Sequence, residues 1–160
     1  MLKVKDCIIS EIVTVKRGAT LKKIIRLFRE NRFHNLPVID DAGILVGKIS
    51  LNEIISVFQP QSAEINQLLK TIPFLDTVPE VDIDIDYITP EMGILIVADE
   101  IMTKNYFTVG PEDSIAKAYS VMKANDTKLL MVIDEDGRLA GVLGMFDIMY
   151  TMFSQKGVVD

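Results

Sequence analysis

The sequence holds one cysteine, Cys7, so an internal disulfide is excluded. A lone cysteine in such a place reads as a small buried apolar residue. It also holds one histidine, His34, which builds no metal site without several well-placed carboxylates. The N-terminus MLKVKDCIISEI has no apolar core of signal-peptide length. The longest apolar stretch near the middle, GILIVA from Gly93 to Ala98, is far too short to span a bilayer. These absences point to a soluble cytoplasmic protein with no membrane partner. The sequon NDT at Asn125, without a secretion signal, reads as chance. Positive charge is scarce as well: 17 Lys and Arg against 23 Asp and Glu leave a net charge of −6. Nucleic acid as a partner calls for clustered Lys and Arg and finds no support.

Catalytic constellations are missing too. There is no Gly-rich loop with Lys-Ser/Thr, no HExxH, no CxxC and no GxSxG. Asp40 and Asp41 are neighbours at a strand end, so their side chains point to opposite faces. A two-carboxylate mechanism needs both acids flanking one bond. The sequence therefore predicts no enzyme, no catalytic residue, no metal site and no required cofactor.

What is present is a repeat. VIDDAGILVGKIS, from Val38 to Ser50, returns as VIDEDGRLAGVLG, from Val132 to Gly144. Asp40 and Asp134 stand 94 positions apart (134 − 40), and both glycine pairs keep that offset. The match continues outward. Thr14-Val15 meets Thr108-Val109, Lys23 meets Lys117, Asn31 meets Asn125, Leu45 meets Leu139 and Ile54 meets Ile148. No gap is needed from about Val4 to Met152, so the chain carries an internal duplication. With 160 residues, it is long enough for one domain with a real core or two small ones sharing one.

Each copy has the same predicted order. IVTV (Ile12–Val15) and YFTV (Tyr106–Val109) read as strands. Thr20 and Ser114 read as N-caps, whose hydroxyls accept from free amides of the first turn. Leu21, Ile24, Ile25 and Phe28 follow at helical spacing, matched by Ile115, Ala118, Tyr119 and Met122. LPVID and LMVID make a second strand, and a turn at Gly43 or Gly137 leads into a third. A second helix follows, Leu51–Phe58 or Met145–Phe153. The fold class expected is α+β: two β-α-β-β-α units packed about a pseudo-twofold axis, with an inserted linker. The boundaries read 1–58, a linker over 59–96 and 97–160.

In the linker, SAEINQLLKTI places Ile65, Leu68, Leu69 and Ile72 on one helical face. VDIDIDYI alternates from Val81 to Ile88, with Asp82, Asp84 and Asp86 on one side. A row of carboxylates offers oxygen ligands to Ca²⁺ or Mg²⁺, while a solvated strand face, with its edge protected by charge, is the plainer account. Thr89-Pro90-Glu91 reads as a cap with Pro at the first helical position.

The duplicated β-α-β-β-α unit, with its TV, HNLPVID, glycine pair and terminal acid in order, resembles the CBS domain. Two in tandem resemble a CBS pair, or Bateman module. The resemblance covers Val4–Phe58 and Val97–Phe153, and the linker does not match it. It implies a cleft between the repeats that binds an adenosyl compound: AMP, ADP, ATP or S-adenosylmethionine. It further implies that the terminal acid holds the ribose hydroxyls, and that a Ser or Thr three residues earlier helps hold phosphate. The chemistry is reasonable, because a carboxylate accepts from two vicinal hydroxyls and free amides at a helix start favour negative charge.

Both copies depart from that pattern. Repeat one offers Ser50 and Glu53, with an arm one carbon longer than Asp. Repeat two offers Asp147, with Gly144 where the hydroxyl would stand. Ser50 and Glu53 also form a capping box, in which each satisfies the other's backbone amide. The resemblance points by position to Ile12, Thr14, Asn35 and Pro37 in repeat one. In repeat two it points to Met102, Tyr106, Thr108, Leu129 and Met131. His34 and Lys128 stand at equivalent positions just before the second strand and are placed to approach phosphate. Most of these residues are equally consistent with plain core or solvated surface.

The reading is a regulatory module that senses an adenosyl ligand and passes its state through a homodimer or an effector protein. The homodimer is expected because the closing helix MFDIMYTMF has more apolar positions than one buried face requires. The alternative is an interaction module whose nucleotide sites have decayed.

Overall fold

The computed structural model describes residues 1–58, 71 and 85–160. Each repeat opens on a short strand, β1 (Val15–Lys16) or β4 (Thr108–Val109). Thr20 and Ser114 then cap α1 (Leu21–Asn31) and α5 (Ile115–Ala124), accepting from Lys23 N at 3.4 Å and Lys117 N at 3.2 Å. The central strands are β2 (Asn35–Ile39) and β5 (Leu129–Ile133), followed by β3 (Leu45–Ser50) and β6 (Leu139–Gly144). The closing helices are α2 (Leu51–Ser56) and α6 (Met145–Gln155). In between lie α3 (Met92–Leu95) and α4 (Ala98–Ile101).

The two three-stranded sheets have one topology: the first strand pairs in parallel with the central one, which pairs antiparallel with the third. A parallel neighbour needs a long crossover, and α1 or α5 supplies it. The hairpin between the second and third strands is built by its aspartate. Asp40 Oδ1 accepts from the amides of Ala42 and Ile44, both at 2.9 Å. Asp134 Oδ1 does the same for Asp136 and Arg138, again at 2.9 Å. Gly43 and Gly137 close the turns at φ +82° and +80°, where a side chain would be strained.

The repeats interlock rather than simply pack. Val4 and Cys7 are buried in the core of repeat two, among Val109, Ile115, Met122 and Leu130. Ala98 is buried in the core of repeat one, flanked by Met92, Ile96 and Met102. The backbone repeats the exchange. Val4 N donates to Asp113 O at 2.9 Å, and Ala98 N donates to Ala19 O at 2.8 Å. The leading segments then cross the third strands at glycine. Ile9 bridges Val142, and Thr103 bridges Lys48. A Cβ on Gly141 would stand 2.7 Å from Ile9 O, and one on Gly47 would stand 2.5 Å from Met102 Sδ. The second glycine of each motif is thus there to let a strap pass. The two hairpins meet at the axis, where Leu45 N donates to Gly137 O and Leu139 N to Gly43 O, each at 3.1 Å.

Several expectations change. Ile12–Thr14 and Tyr106–Phe107 are irregular backbone, so the first strands are shorter than the β-branched runs suggest. Ile25 and Tyr119 point outward at 44% and 49% exposure, because three apolar positions suffice to cover the sheet. α2 stops at Ser56 and α6 runs on to Gln155. Glu91, not Thr89, is the residue before α3, and Thr89–Glu91 form a turn in which Met92 N donates to Thr89 O at 3.2 Å. Ile85–Tyr87 coil into a single tight helical turn, so this part of VDIDIDYI is not a strand. The expected helix over 62–72 and the carboxylate row's Asp82 and Asp84 lie outside the described residues, apart from Thr71.

Candidate functional site

Two clefts open between the repeats, and the 94-residue offset relates them. Cleft A encloses about 660 Å³ and is lined by Ile9, Glu11, Ile12, Val13, Asn31, Phe33, His34, Asn35 and Pro37. Repeat two completes it with Thr127, Lys128, Leu129 and Val142. Cleft B encloses about 230 Å³ and is lined by Asn105, Tyr106, Phe107, Asn125, Asp126, Thr127, Leu129 and Met131. Repeat one completes it with Asn35 and Lys48. Ile12, Val13, Asn31, Phe33 and Pro37 in cleft A correspond to Tyr106, Phe107, Asn125, Thr127 and Met131 in cleft B. Lys48 takes in cleft B the place of Val142 in cleft A. Asn35, Thr127 and Leu129 belong to both walls.

The irregular runs before β1 and β4 now have a use. Freed from a ladder, Ile12, Val13, Tyr106 and Phe107 turn side chains into the clefts. His34 and Lys128 both reach cleft A, giving it two nitrogen bases beside the carboxylate of Glu11. Cleft A also carries Asn31, Asn35 and Thr127 but is walled largely by aliphatic and aromatic groups, whereas cleft B presents amides, a phenol, a carboxylate and an ammonium beside Phe107, Leu129 and Met131. Lys48 Nζ donates to Asn35 Oδ1 at 3.1 Å, a part-buried bond between the clefts.

Of the positions singled out in the sequence, Ile12, His34, Asn35, Pro37, Lys128 and Leu129 come together in cleft A. Tyr106, Leu129 and Met131 come together in cleft B, with Met131 at its floor, 1% exposed. Thr14 and Thr108 line neither cleft, and Thr108 is exposed on β4. Met102 also lines neither cleft: it lies in the strap, its side chain against Gly47 beside the core of repeat one. Glu11, Lys48, Asn105 and Asp126 line the clefts and are not among the positions that the sequence singled out. Lys48 is brought in by the strap that crosses it at Thr103, a contact that nothing local in the sequence announces.

The motif acids sit at the helix starts. Glu53 Oε2 accepts from Ser50 N at 2.6 Å and from the Ser50 hydroxyl. Asp147 Oδ2 accepts from Gly144 N at 2.9 Å. Neither acid, nor Ser50 or Gly144, lines the two clefts. Both helix starts are nonetheless tied to cleft residues. Ser50 pairs with Asn35, Gly144 with Leu129, and Met145 N donates to Lys128 O at 2.9 Å. Behind α6 lies Cys7, whose thiol burial pushes up in pKa while a bond to Thr151 pulls it down.

The family model of the CBS domain matches residues 4–59 and 97–154, one match per repeat. The chain belongs to the CBS domain family. An uncharacterized protein of Methanocaldococcus jannaschii is 27% identical over 148 residues, covering 91% of this chain and 88% of its own. Other curated relatives are longer, and the chain spans 44% of one and 23% of another. Among solved structures, a CBS domain-containing protein of unknown function from Bacillus anthracis superposes with a TM-score of 0.72 at 20% identity. That match covers 97% of this chain and 95% of the other. CBSX2, solved in complex with AMP, superposes with a TM-score of 0.68 at 20% identity, covering 98% and 99%. At such identities the likeness establishes the fold. Among the described residues, no helix is long and apolar enough to cross a membrane. Nor do they contain three His, Cys, Asp or Glu grouped to hold a metal ion.

Proposed function

We propose that this CBS pair is a regulatory module without catalytic activity that binds an adenine nucleotide in cleft A. The observation that carries the reading is the make-up of that cleft. Its volume of about 660 Å³ falls within the range of ligand pockets, roughly 300–1,000 Å³. Aliphatic walls from Ile9, Ile12, Val13, Pro37 and Val142 suit the faces of a purine. His34 and Lys128 supply donors for a phosphate beside the carboxylate of Glu11. The relative CBSX2, solved with AMP, supports the same ligand class. AMP, ADP, ATP and S-adenosylmethionine remain the candidates, in a chain that needs no resident cofactor.

The ribose falls to Asp147. Its Oδ2 is held by Gly144 N, which leaves the other oxygen for a hydroxyl, and α6 begins beside Lys128 of the cleft wall. Glu53 is the weaker choice, because its arm is one carbon longer and its Oε2, which takes the Ser50 amide, also takes up the Ser50 hydroxyl that would serve the phosphate. That double engagement is also what favours a second reading, an interaction module with degenerate nucleotide sites.

A thermal-shift series with adenine nucleotides separates the two. Binding to the folded state alone stabilises by RT ln(1 + [L]/Kd), about 2.7 kcal/mol at a hundredfold excess over Kd. A rise in Tm with AMP or ATP supports the sensor, and none with any adenosyl compound supports the interaction module.

The output passes through a second copy. α6 buries only Ile148, while Phe146, Met149, Tyr150, Met152 and Phe153 stay exposed. Between α5 and α6 an apolar groove of about 730 Å³ runs past Tyr119, Met145 and Met149. Patches of this kind mark interfaces. Light scattering at micromolar concentration is expected to give twice the chain mass, and a monomer ends the proposal of a homodimer. An effector protein then reads the dimer.

A further inference from the structure

The solvent face of α1 carries charge that nothing around it neutralises, and we infer that it is the docking surface for an acidic helical segment of the effector protein. The inference rests on the reading of the chain as a module whose state a partner reads, and it adds where that partner sits and by what chemistry. Residues 22–32, in α1 and its C-cap, hold Lys22, Lys23, Arg26, Arg29 and Arg32 against one acid, Glu30, all of them exposed. Among the described residues none of these five cations forms an ion pair. In the same chain Lys3, Lys5, Lys16, Arg17, Lys117 and Arg138 each sit on a carboxylate.

The duplication shows that the fold does not require this charge. α5 is the counterpart of α1, and at the 94-residue offset it has Ala116 for Lys22, Ser120 for Arg26 and Asp126 for Arg32. Lys117 is neutralised by Asp113 at 2.8 Å, whereas the residue at that place before Lys23 is Ala19. The cations also work against α1 itself. Lys22 and Lys23 stand in its first turn, where free amides carry partial positive charge and favour carboxylates, and α1 has no acid there. Lys22 repels Arg26 four residues on, and Arg26 repels Arg29 three residues on. Carboxylates brought by a partner relieve both costs.

The ridge sets the form of that partner. Lys22, Arg26 and Arg29 recur at helical spacing and span about 10 Å at a rise of 1.5 Å per residue. Acids on three successive turns of a second helix match them. Ile25, 44% exposed on the same face, offers such a helix an apolar contact. Nucleic acid and an anionic bilayer are extended, and either meets the rest of a chain whose net charge is −6. A helix meets only the strip, because charge farther than about 8 Å is screened at physiological salt. The strip also lies close to cleft A. Phe28, on the buried side of α1, packs edge-on against Phe33 of the cleft wall, with ring centroids 5.1 Å apart.

The test uses the full chain, ¹⁵N-labelled, and a synthetic alanine-rich helical peptide with Glu on three successive turns of one face. A control peptide of the same composition has its acids spread around the helix. The patterned peptide is expected to shift the amides of α1 and to bind about fivefold more tightly than the control, the scale of two or three exposed ion pairs. Arg26→Glu is expected to abolish that binding, and a peptide with Lys at the middle position to restore it. Lys123→Glu, on the counterpart helix, leaves it unchanged. Lys22→Glu places a carboxylate at the start of α1, so Tm is expected to rise while peptide binding falls.

A control bound as tightly as the patterned peptide, binding that survives Arg26→Glu, or a fall in Tm with Lys22→Glu overturns the inference. So does a single-stranded oligonucleotide, or a vesicle of phosphatidylcholine and phosphatidylserine, that shifts the same amides more strongly than the peptide at equal salt. Failure of AMP to raise Tm leaves these outcomes as they are and overturns only the sensor reading of cleft A. A rise in Tm with AMP and no peptide binding overturns the docking surface alone.

Discussion

Clefts A and B come from one duplicated unit, yet one is roomy and apolar and the other narrow and polar. The backbone that builds them is the same at each step: a cap, a crossover helix, an Asp-Gly turn and a glycine under a strap. What diverged is the wall. Ile12 is matched by Tyr106, Phe33 by Thr127, and Val142 has Lys48 as its counterpart. The two copies thus share what sets geometry, because glycine positions and caps have few substitutes, and differ in the residues that line the clefts. Chemistry is where the halves should differ most. Architecture is where perturbing one half should damage the other.

The largest effect tests that interdependence. Val4 belongs by sequence to repeat one and is fully buried in the core of repeat two. Val4→Asp places a carboxylate there with no basic partner in that cluster, at a cost of about 3–5 kcal/mol. Denaturant melts followed by near-UV signals are expected to show loss of cooperative folding, not a local fraying. For the same reason, a fragment of residues 1–59 lacks Ala98 and the strap through Met102 and should be unfolded or self-associated. If that fragment is a stable monomer, the interlocked description is wrong.

The next comparison pits the two strap crossings against each other. A Cβ at Gly141 meets the carbonyl of Ile9, a backbone atom that cannot yield without moving the strap. A Cβ at Gly47 meets the thioether of Met102, which can swing away. Gly141→Ala is therefore expected to destabilise by about 1–3 kcal/mol, the range of overpacking, and Gly47→Ala by less. Ile9 and Val142 also line cleft A, so only Gly141→Ala should weaken ligand binding there. Equal loss of stability in the two variants would mean that the straps are equally soft.

A third measurement asks which motif acid serves the ligand. Asp147→Asn keeps shape but removes the charge that strengthens bonds from two hydroxyls. Such bonds are worth about 1.5–3 kcal/mol, so AMP affinity should fall by about tenfold or more. Glu53→Gln should do less to binding and should loosen the start of α2 instead. Calorimetry giving the reverse order would move the ribose to repeat one.

Much of this was legible before any coordinates. The 94-residue register, the caps at Thr20 and Ser114 and the turns at Gly43 and Gly137 are local, and local chemistry decides them. The straps are not local. Val4 and Ala98 carry no mark that they pack across the axis, so the halves look separable in the sequence although they are not. Cleft membership hides for the same reason. Lys48 lies in an alternating strand and reads as a solvated side chain until Thr103 is laid beside it. Thr14, Thr108 and Met102, which the resemblance points to by position, line neither cleft, and nor do the motif residues Ser50, Glu53, Gly144 and Asp147. The pleat and the strap, not position along the chain, decide which way a side chain turns.

The smallest effect concerns how each strap is fastened. The one entering repeat one is held by Arg17 and Asp99 at 2.6 Å. The one entering repeat two is held by Glu112, which takes Lys3 at 2.6 Å and Lys5 at 2.7 Å. Those two bonds, from Lys3 first and then Lys5, hold the Glu112 carboxyl down to about 2. A depressed carboxylate pKa stabilises the folded state above the unfolded value near 4.5 and loses that contribution as pH falls toward about 2. The groups are solvent-exposed, so the contribution is small and screened by salt. Amide exchange at Val4 and Lys5, which donate to Asp113 O and Pro111 O, reports the strap directly. Between pH 4.5 and 2.5, protection of these amides is expected to fall further in the parent than in Glu112→Gln, which lacks the titrating group. The gap should close in high salt. If the variant loses protection with the same pH dependence as the parent, the strap of repeat two is held by the burial of Val4 alone.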